Sequence, residues 1–164
     1  MVENGGMDGE YQASVMETAV GMLTLVASER GLREIRFGAA RQSGPHAATA
    51  EAERQLREYF AGKRRKFDLK LDWHGTAFQQ EVWRALLRVP YGKTASYADI
   101  AAAVQRPQAF RAVGGANRRN PWPIVVPCHR IIGSDGSLTG YAGKSGLGIK
   151  AQLLELEQGS GFRG

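Results

Sequence analysis

Cysteine is nearly absent from this chain, with one residue, Cys128, in 164. That excludes an intramolecular disulfide and any zinc site built on two or more of its own thiolates. Histidine is scarce as well. The three residues, at 46, 74 and 129, are scattered, so no metal is expected. Long hydrophobic runs are missing, and none approaches the roughly 18 to 20 residues of a membrane span. The opening segment, MVENGGMDGE, is polar and acidic and has the makeup of neither a signal peptide nor a transit peptide. Residues 1–10 therefore read as a flexible leader, and the chain as a cytoplasmic protein with no membrane partner. Hydrophobic residues at 43% and charged residues at 23% exclude wholesale disorder, collagen and a coiled coil. The length suits one ordinary domain or two small ones.

Acidic residues are what the second half lacks. The net charge is +6, from 22 basic and 16 acidic side chains. Residues 1–73 hold 11 of each sign, whereas residues 74–164 hold 11 basic and 5 acidic. A phosphate backbone is the natural partner of the basic half, although a solvated surface with a chance bias accounts for charge alone equally well.

The first half reads as an α/β unit over 11–73. Short apolar runs begin near residue 14. Met22 to Val26 and Leu32 to Phe37 read as strands, with Glu29-Arg30-Gly31 as the hairpin turn between them. Residues 38–46 read as a loop. Ala47 to Phe60 has helical spacing, with Ala52, Leu56, Tyr59 and Phe60 on one side and Gly62 ending it. The basic run 63–66 reads as a solvated loop, and Phe67, Leu69 and Leu71 alternate as in a strand.

The second half, 74–158, carries more signals, and 159–164 reads as a flexible tail. Thr76-Ala77-Phe78-Gln79 matches a capping box, so a helix is expected to start there with Phe78, Val82, Trp83 and Leu86 as its apolar stripe. Ser96 caps a second, short helix with Asp99 in its first turn, and Gln105-Arg106-Pro107 breaks it. A third helix is expected from about 108 to 118. Two short helices joined by a tight turn have helix-turn-helix grammar. The third contains Gly114-Gly115, and each glycine inside a helix costs about 1 kcal/mol relative to alanine. Close helix packing and close approach to a nucleic-acid groove both explain such a pair. The flanking Arg111, Arg118 and Arg119 favour nucleic acid.

Ile124-Val125-Val126 is β-branched and is expected to be a buried strand, stopped by Pro127. Cys128-His129-Arg130 follows. A lone cysteine is most often a buried hydrophobe, but an adjacent imidazole or cation raises its thiolate fraction and makes it a nucleophile. Neighbours in extended chain point to opposite faces, so His129 needs a bent backbone or a bridging water to reach the sulfur. A last helix, about 148–158, is expected to bury Ile149, Leu153 and Leu156. At about 100° per residue Glu157 falls near the edge of that stripe and Glu155 well away from it. Glu157 is thus a candidate partner for His129, the alternative being a surface carboxylate paired with Lys150 or with nothing.

Taken in order, several segments resemble the O6-alkylguanine-DNA alkyltransferases, also called methylated-DNA–protein-cysteine methyltransferases. They are Phe78-Gln79-Gln80-Glu81-Val82-Trp83, Pro90-Tyr91-Gly92, Ser96-Tyr97, Arg111 to Ala116, Asn120-Pro121, Pro127-Cys128-His129-Arg130, Thr139 to Gly143 and Leu153 to Glu157. The resemblance is dense over 76–157 and extends more loosely over 14–72. It implies an α/β fold: a ribonuclease H-like N-terminal unit, then a helix-turn-helix (winged-helix-like) domain carrying the cysteine. It implies Cys128 as alkyl acceptor, His129 as the residue taking the thiol proton through a water, and Glu157 as the carboxylate orienting that histidine. Asn120 is implied as a hinge and Tyr97 as the residue turning the target nucleotide. Tyr141, the Ala142 N–H and the Ile131 carbonyl are implied to line the guanine pocket. Arg111 is the implied finger replacing the extruded base, within a DNA-binding set that also holds Ser96, Tyr97, Ala112, Gly114, Gly115, Ala116 and Arg118. The implied partner is double-stranded DNA bearing O6-alkylguanine, bound by a monomer, with cooperative binding along the duplex left open. No cofactor is implied.

Three departures from the family pattern stand out. The run Gly143 to Gly148 is about two residues longer and reads as a loop. Trp122 stands where a smaller aliphatic is common, and Asn117 where an apolar residue can occur. Three rival readings are a lesion-binding relative without transfer activity, a helix-turn-helix regulator sensing alkylation, and a Cys–His hydrolase. Cys128 argues against the first, the short chain against the second, and Arg111 with the basic half against the third.

Overall fold

The computed structural model describes residues 11–43, 47–138 and 143–159. Its contacts divide the chain into two compact units, Met1–Trp73 and His74–Gly164. The expected leader at 1–10 and all but the first residue of the expected tail lie outside the described residues, as do Tyr141 and Ala142.

The first unit is a three-stranded antiparallel sheet, β1 (Gln12–Thr18), β2 (Gly21–Ser28) and β3 (Gly31–Phe37), in sequence order. The middle strand has neighbours on both edges, with Leu25 opposite Ser14 in β1 and Ile35 in β3. β1 is weakly marked in the sequence because Met16 is its only fully buried residue. Helix α1 (Ala47–Phe60) packs on the sheet through Ala52, Leu56 and Tyr59, as its spacing predicts. Phe60 is half-buried, edge-on to Tyr59.

The strand expected at 67–71 forms only one bridge, Leu71 beside Leu32. The reason lies in α1. The Gln55 carboxamide donates to the Asp68 carbonyl and accepts from the Asp68 N–H, both at 2.9 Å. One side chain thus occupies the backbone groups that a neighbouring strand would have taken. Gly31 permits the remaining bridge: it sits at φ +130°, and a Cβ there would lie 2.4 Å from the Lys70 carbonyl oxygen.

In the second unit, α2 (Ala77–Leu86) begins at the expected capping box, with Thr76 and Gln79 each bonding the other's backbone N–H. Buried Trp83 donates through its indole N–H to the Ala116 carbonyl at 2.9 Å and meets Trp122 edge-on. The short strand β4 (Ala95–Ser96) leads into α3 (Tyr97–Ala103), where Ser96 and Asp99 form a second capping box. Helix α4 (Phe110–Arg118) completes the helix-turn-helix and starts two residues later than expected. A 3-10 turn, Cys128–Arg130, runs into β5 (Ile131–Ile132), which pairs in parallel with β4. Helix α5 (Gly143–Gln158) closes the chain. The run 143–148 is therefore helical rather than a loop, despite the low helix propensity of its glycines.

The expected strand at 124–126 is absent. All three residues are buried, so their hydrophobicity was read correctly, but the backbone turns. The Val126 N–H bonds the Trp122 carbonyl at 2.8 Å. Ile124 adopts φ +77°, a rare conformation for a β-branched residue. Asn120 supplies the local partners that a sheet would have given, as described below.

Gln55→Met keeps the size of the side chain and leaves both Asp68 backbone groups without it. We expect the first unit to lose about 2 kcal/mol, read as a lower urea midpoint for that unit.

Candidate active site

The cysteine is presented by a run of tight turns. Asn120, just past the end of α4, accepts from the Trp122 N–H at 3.0 Å and donates to the Val126 carbonyl at 2.7 Å. That carbonyl also receives the Cys128 N–H at 2.7 Å across Pro127, at φ −79° and ψ 66°. These angles define an inverse γ-turn. Pro127 thus does more than stop a strand: it bends the chain into the 3-10 turn carrying Cys128, His129 and Arg130, all buried. Cys128 is 3% exposed, so its sulfur is shielded from bulk water.

His129 and Glu157 are wholly buried, and His129 Nε2 lies 2.7 Å from Glu157 Oε2. A carboxylate only accepts, so Nε2 carries the proton and Nδ1 has the lone pair. Nδ1 has no hydrogen-bond partner among the described residues. Burial pushes the His129 pKa down, against the pull of Glu157, which keeps the imidazole neutral. Arg130 completes the cluster. Its Nε and Nη2 reach the two oxygens of Glu157 at 2.8 and 3.0 Å, and its Nη1 donates to the Val89 carbonyl at 2.7 Å. Burial alone would raise the Glu157 pKa, but hydrogen bonds from His129 and Arg130 and the charge of Arg130 bring it down to about 2.

Glu157 is thus at the centre of the buried face of α5, not at its edge. Among the helix's described side chains, from 148 on, the fully buried ones are Lys150, Leu153 and Glu157, while the expected Ile149 and Leu156 are half-buried. Spacings of three and four place these three side chains on one helical stripe, a signal that an apolar-only count passes over. Lys150 was expected at most as a surface partner of a glutamate. It is instead buried, and its Nζ donates to the Ile131 carbonyl at 2.5 Å. Burial lowers the Lys150 pKa to about 8, opposed by attraction to a Cys128 thiolate. The Ile131 carbonyl expected to face a bound base is therefore already engaged by Lys150.

The remaining candidates lie on α3 and α4. Ser96 spends its hydroxyl on capping α3, accepting from the Asp99 N–H at 3.0 Å. Tyr97 is half-buried beside Gly114, whose added Cβ would be 3.8 Å from the tyrosine ring. Arg111, Ala112 and Arg118 are exposed, and Gly114 and Gly115 half-buried. Ala116 of the same expected set is buried on the inner face of α4, where its carbonyl accepts from Trp83. An added Cβ at Gly115 would meet nothing within 4 Å. Packing among the described residues therefore does not explain that glycine. No group of three or more His, Cys, Asp or Glu among the described residues is placed to hold a metal ion, and no described helix is long and apolar enough to cross a membrane.

Residues 12–73 match the family described as 6-O-methylguanine DNA methyltransferase, ribonuclease-like domain, and residues 77–159 match 6-O-methylguanine DNA methyltransferase, DNA binding domain. A methylated-DNA–protein-cysteine methyltransferase of Methanosarcina barkeri is 49% identical over 152 residues, covering 88% of this chain and 95% of the relative. The constitutive one of Bacillus subtilis is 62% identical over 109 residues, 66% of either chain. Among solved structures, an O6-methylguanine methyltransferase of Mycobacterium tuberculosis aligns with a TM-score of 0.82 at 43% identity, covering 90% of this chain and 93% of that one. The OGT of the same organism in complex with DNA aligns with a TM-score of 0.80 at 44% identity, covering 90% and 92%. The fold expected from the sequence, a ribonuclease-like unit followed by a helix-turn-helix unit, is the one these matches carry.

The depressed Glu157 pKa fixes the sign of a pH effect. The carboxylate stabilises the fold fully above its ordinary value of 4.5, and that contribution is lost as pH falls toward about 2. We expect Glu157→Gln to lose stability at neutral pH, on the order of 3 kcal/mol, and to lose less further stability than the parent between those pH values in an acid unfolding titration.

Proposed function

The chain belongs to the 6-O-methylguanine DNA methyltransferase family, and on that premise we propose that it repairs DNA by moving an alkyl group from guanine O6 onto Cys128. One observation carries this reading. The only cysteine shares a 3-10 turn with a neutral histidine whose Nε2 is held by a buried carboxylate and whose Nδ1 is left to receive a proton. In the proposed reaction the thiol proton passes through a water to His129 Nδ1, and Glu157 holds the imidazolium. The thiolate attacks the alkyl carbon, a C–S bond forms, and the C–O6 pair departs with guanine, which takes up a proton. Nothing in the cluster cleaves the resulting thioether, so each molecule acts once and without a cofactor.

Charge balance supports the same reading. Arg130 and Lys150 outweigh the ionised Glu157 beside Cys128, and that positive surplus favours the thiolate over the thiol. Exclusion of water adds to the nucleophilicity of that thiolate.

The lesion must leave the base stack to reach a buried sulfur. We assign this step to α4: Arg111 enters the gap, and Gly114 and Gly115 let the helix backbone approach the minor groove. Tyr97 stands beside them to turn the nucleotide, and Asn120 links the helix to the cysteine turns. Tyr141 and the Ala142 N–H, with the Ile131 carbonyl, are the proposed pocket. On this reading 74–158 is the DNA-binding and catalytic domain and 11–73 the N-terminal domain. The substrates are O6-alkylguanine and O4-alkylthymine in duplex DNA, bound by a monomer. A single reduced thiol suits the cytoplasm.

Mass spectrometry after incubation with duplex DNA containing O6-methylguanine tests the chemistry. A gain of roughly 14 Da confined to the Cys128 peptide is expected, and none in Cys128→Ser, whose DNA affinity stays within about twofold. Unchanged mass with retained lesion binding would move the protein to the non-catalytic lesion binders. Arg111→Ala is expected to slow transfer from duplex about tenfold and from free O6-benzylguanine less than about twofold; equal losses remove the finger role.

A further inference from the structure

The inner face of α4 breaks a packing rule at one position. Val113 and Ala116 are buried apolar residues, but the third buried residue is Asn117, at 2% exposure. Its Nδ2 donates to the Cys128 carbonyl at 3.5 Å, and its Oδ1 has no hydrogen-bond partner among the described residues. Among the described residues of the second unit one other buried side-chain polar atom shares that condition, His129 Nδ1. Both atoms belong to residues that bond to or adjoin Cys128. One long hydrogen bond returns less than the burial of a half-satisfied carboxamide costs, so stability does not account for asparagine here. An aliphatic residue of the same volume would serve the core better.

What the carboxamide does provide is a tie. The Cys128 carbonyl already receives the Ile131 N–H that closes the 3-10 turn, and Asn117 is its second donor. Three residues on, Asn120 holds the Val126 carbonyl, the other end of the Pro127 turn. The last turn of the helix and the residue beyond it therefore grip both ends of the Val126–Cys128 segment. A bond that is long in the free protein shortens when a catalytic arrangement closes, and the facing acceptor leaves room for improvement. We propose that Asn117 is a positioning residue that couples the seating of α4 on DNA to the placement of the Cys128 thiol. This rests on the alkyl-transfer reading and deepens it. Asn117 acts through the Cys128 carbonyl, not on the sulfur, the alkyl carbon or the departing guanine.

The test compares Asn117→Leu, Asn117→Asp and the unaltered chain in single-turnover transfer from duplex O6-methylguanine at saturating DNA and from free O6-benzylguanine, with the thermal midpoint and DNA affinity of each. Asn117→Leu removes the tie and an unsatisfied amide together. Its melting temperature is expected to hold or rise and its DNA affinity to hold, while transfer from duplex slows about tenfold and transfer from the free base less than about twofold. Asn117→Asp sets an acceptor against the Cys128 carbonyl and is expected to slow duplex transfer at least as much. Undiminished duplex transfer in both variants overturns the inference. Equal slowing with both substrates, or a loss of activity that follows a lower melting temperature, also overturns it by making Asn117 a packing residue. An unaltered chain that gains alkyl mass from neither substrate overturns the transfer reading itself, an outcome readable before any variant is compared.

Discussion

A carboxylate cut off from water organises the second unit. Glu157 takes one hydrogen bond from His129, two from Arg130 and a longer one, at 3.5 Å, from the Gly92 N–H, and together they tie separate segments of the chain. His129 and Arg130 belong to the 3-10 turn and Glu157 to α5. Arg130 carries the connection on to Val89, beyond the end of α2. Removing Glu157 or Arg130 leaves an uncompensated buried charge, the most damaging kind of single change. The paired Arg130 guanidinium keeps Glu157 ionised, and an ionised Glu157 dictates that His129 holds its proton on Nε2. The tautomer next to the cysteine is therefore a consequence of an arginine that never meets the sulfur.

The same residues explain why the chain near Cys128 is not a strand. A strand ending in Pro127 would send successive side chains to opposite faces, leaving Cys128 and His129 pointing apart. The Pro127 γ-turn and the 3-10 turn after it remove that constraint. Ile124 at φ +77° bears part of the strain, in a position where Asn120, Trp122 and Val126 fix the backbone around it. Strain of this kind persists where surrounding contacts over-determine it, and here they end at the cysteine.

Elements governed by local chemistry were legible in the sequence. The Thr76 capping box, the Ser96 cap, α1, the β2–β3 hairpin and the break after α3 follow from residues within a turn of one another. Two of the misreadings share a cause. Gln55 replaces a strand partner for Asp68 and Asn120 does so for Val126; each is a side-chain-to-backbone choice that hydrophobic patterning does not register, and the helical start of α5 runs against the propensity of its three glycines. In the site, Glu157 was found because its angle on the helix wheel brought it near the buried stripe. Lys150 was missed because apolar periodicity assigns charged residues to the surface, a rule that fails where charges are partnered. Asn117 was noted only as a departure from a pattern, since its partner is a backbone carbonyl and carries no sequence signal.

Burial and reactivity of Cys128 are not in conflict on the proposed reading. An enzyme with many turnovers needs a route for product to leave. A protein whose product is its own thioether releases only guanine and needs no second use of the sulfur. The thiol can then sit where water and small oxidants do not reach it, provided its ionised form is stabilised from within. Lys150 and Arg130 against Glu157 supply that stabilisation as fixed charge, set when the chain folds and requiring no rearrangement at the moment of reaction. Selectivity then falls to the step that delivers the alkyl carbon. A protein that spends itself on each reaction benefits from making delivery, rather than thiol reactivity, conditional on DNA, and a tie from the recognition helix to the cysteine carbonyl is a direct way to impose that condition.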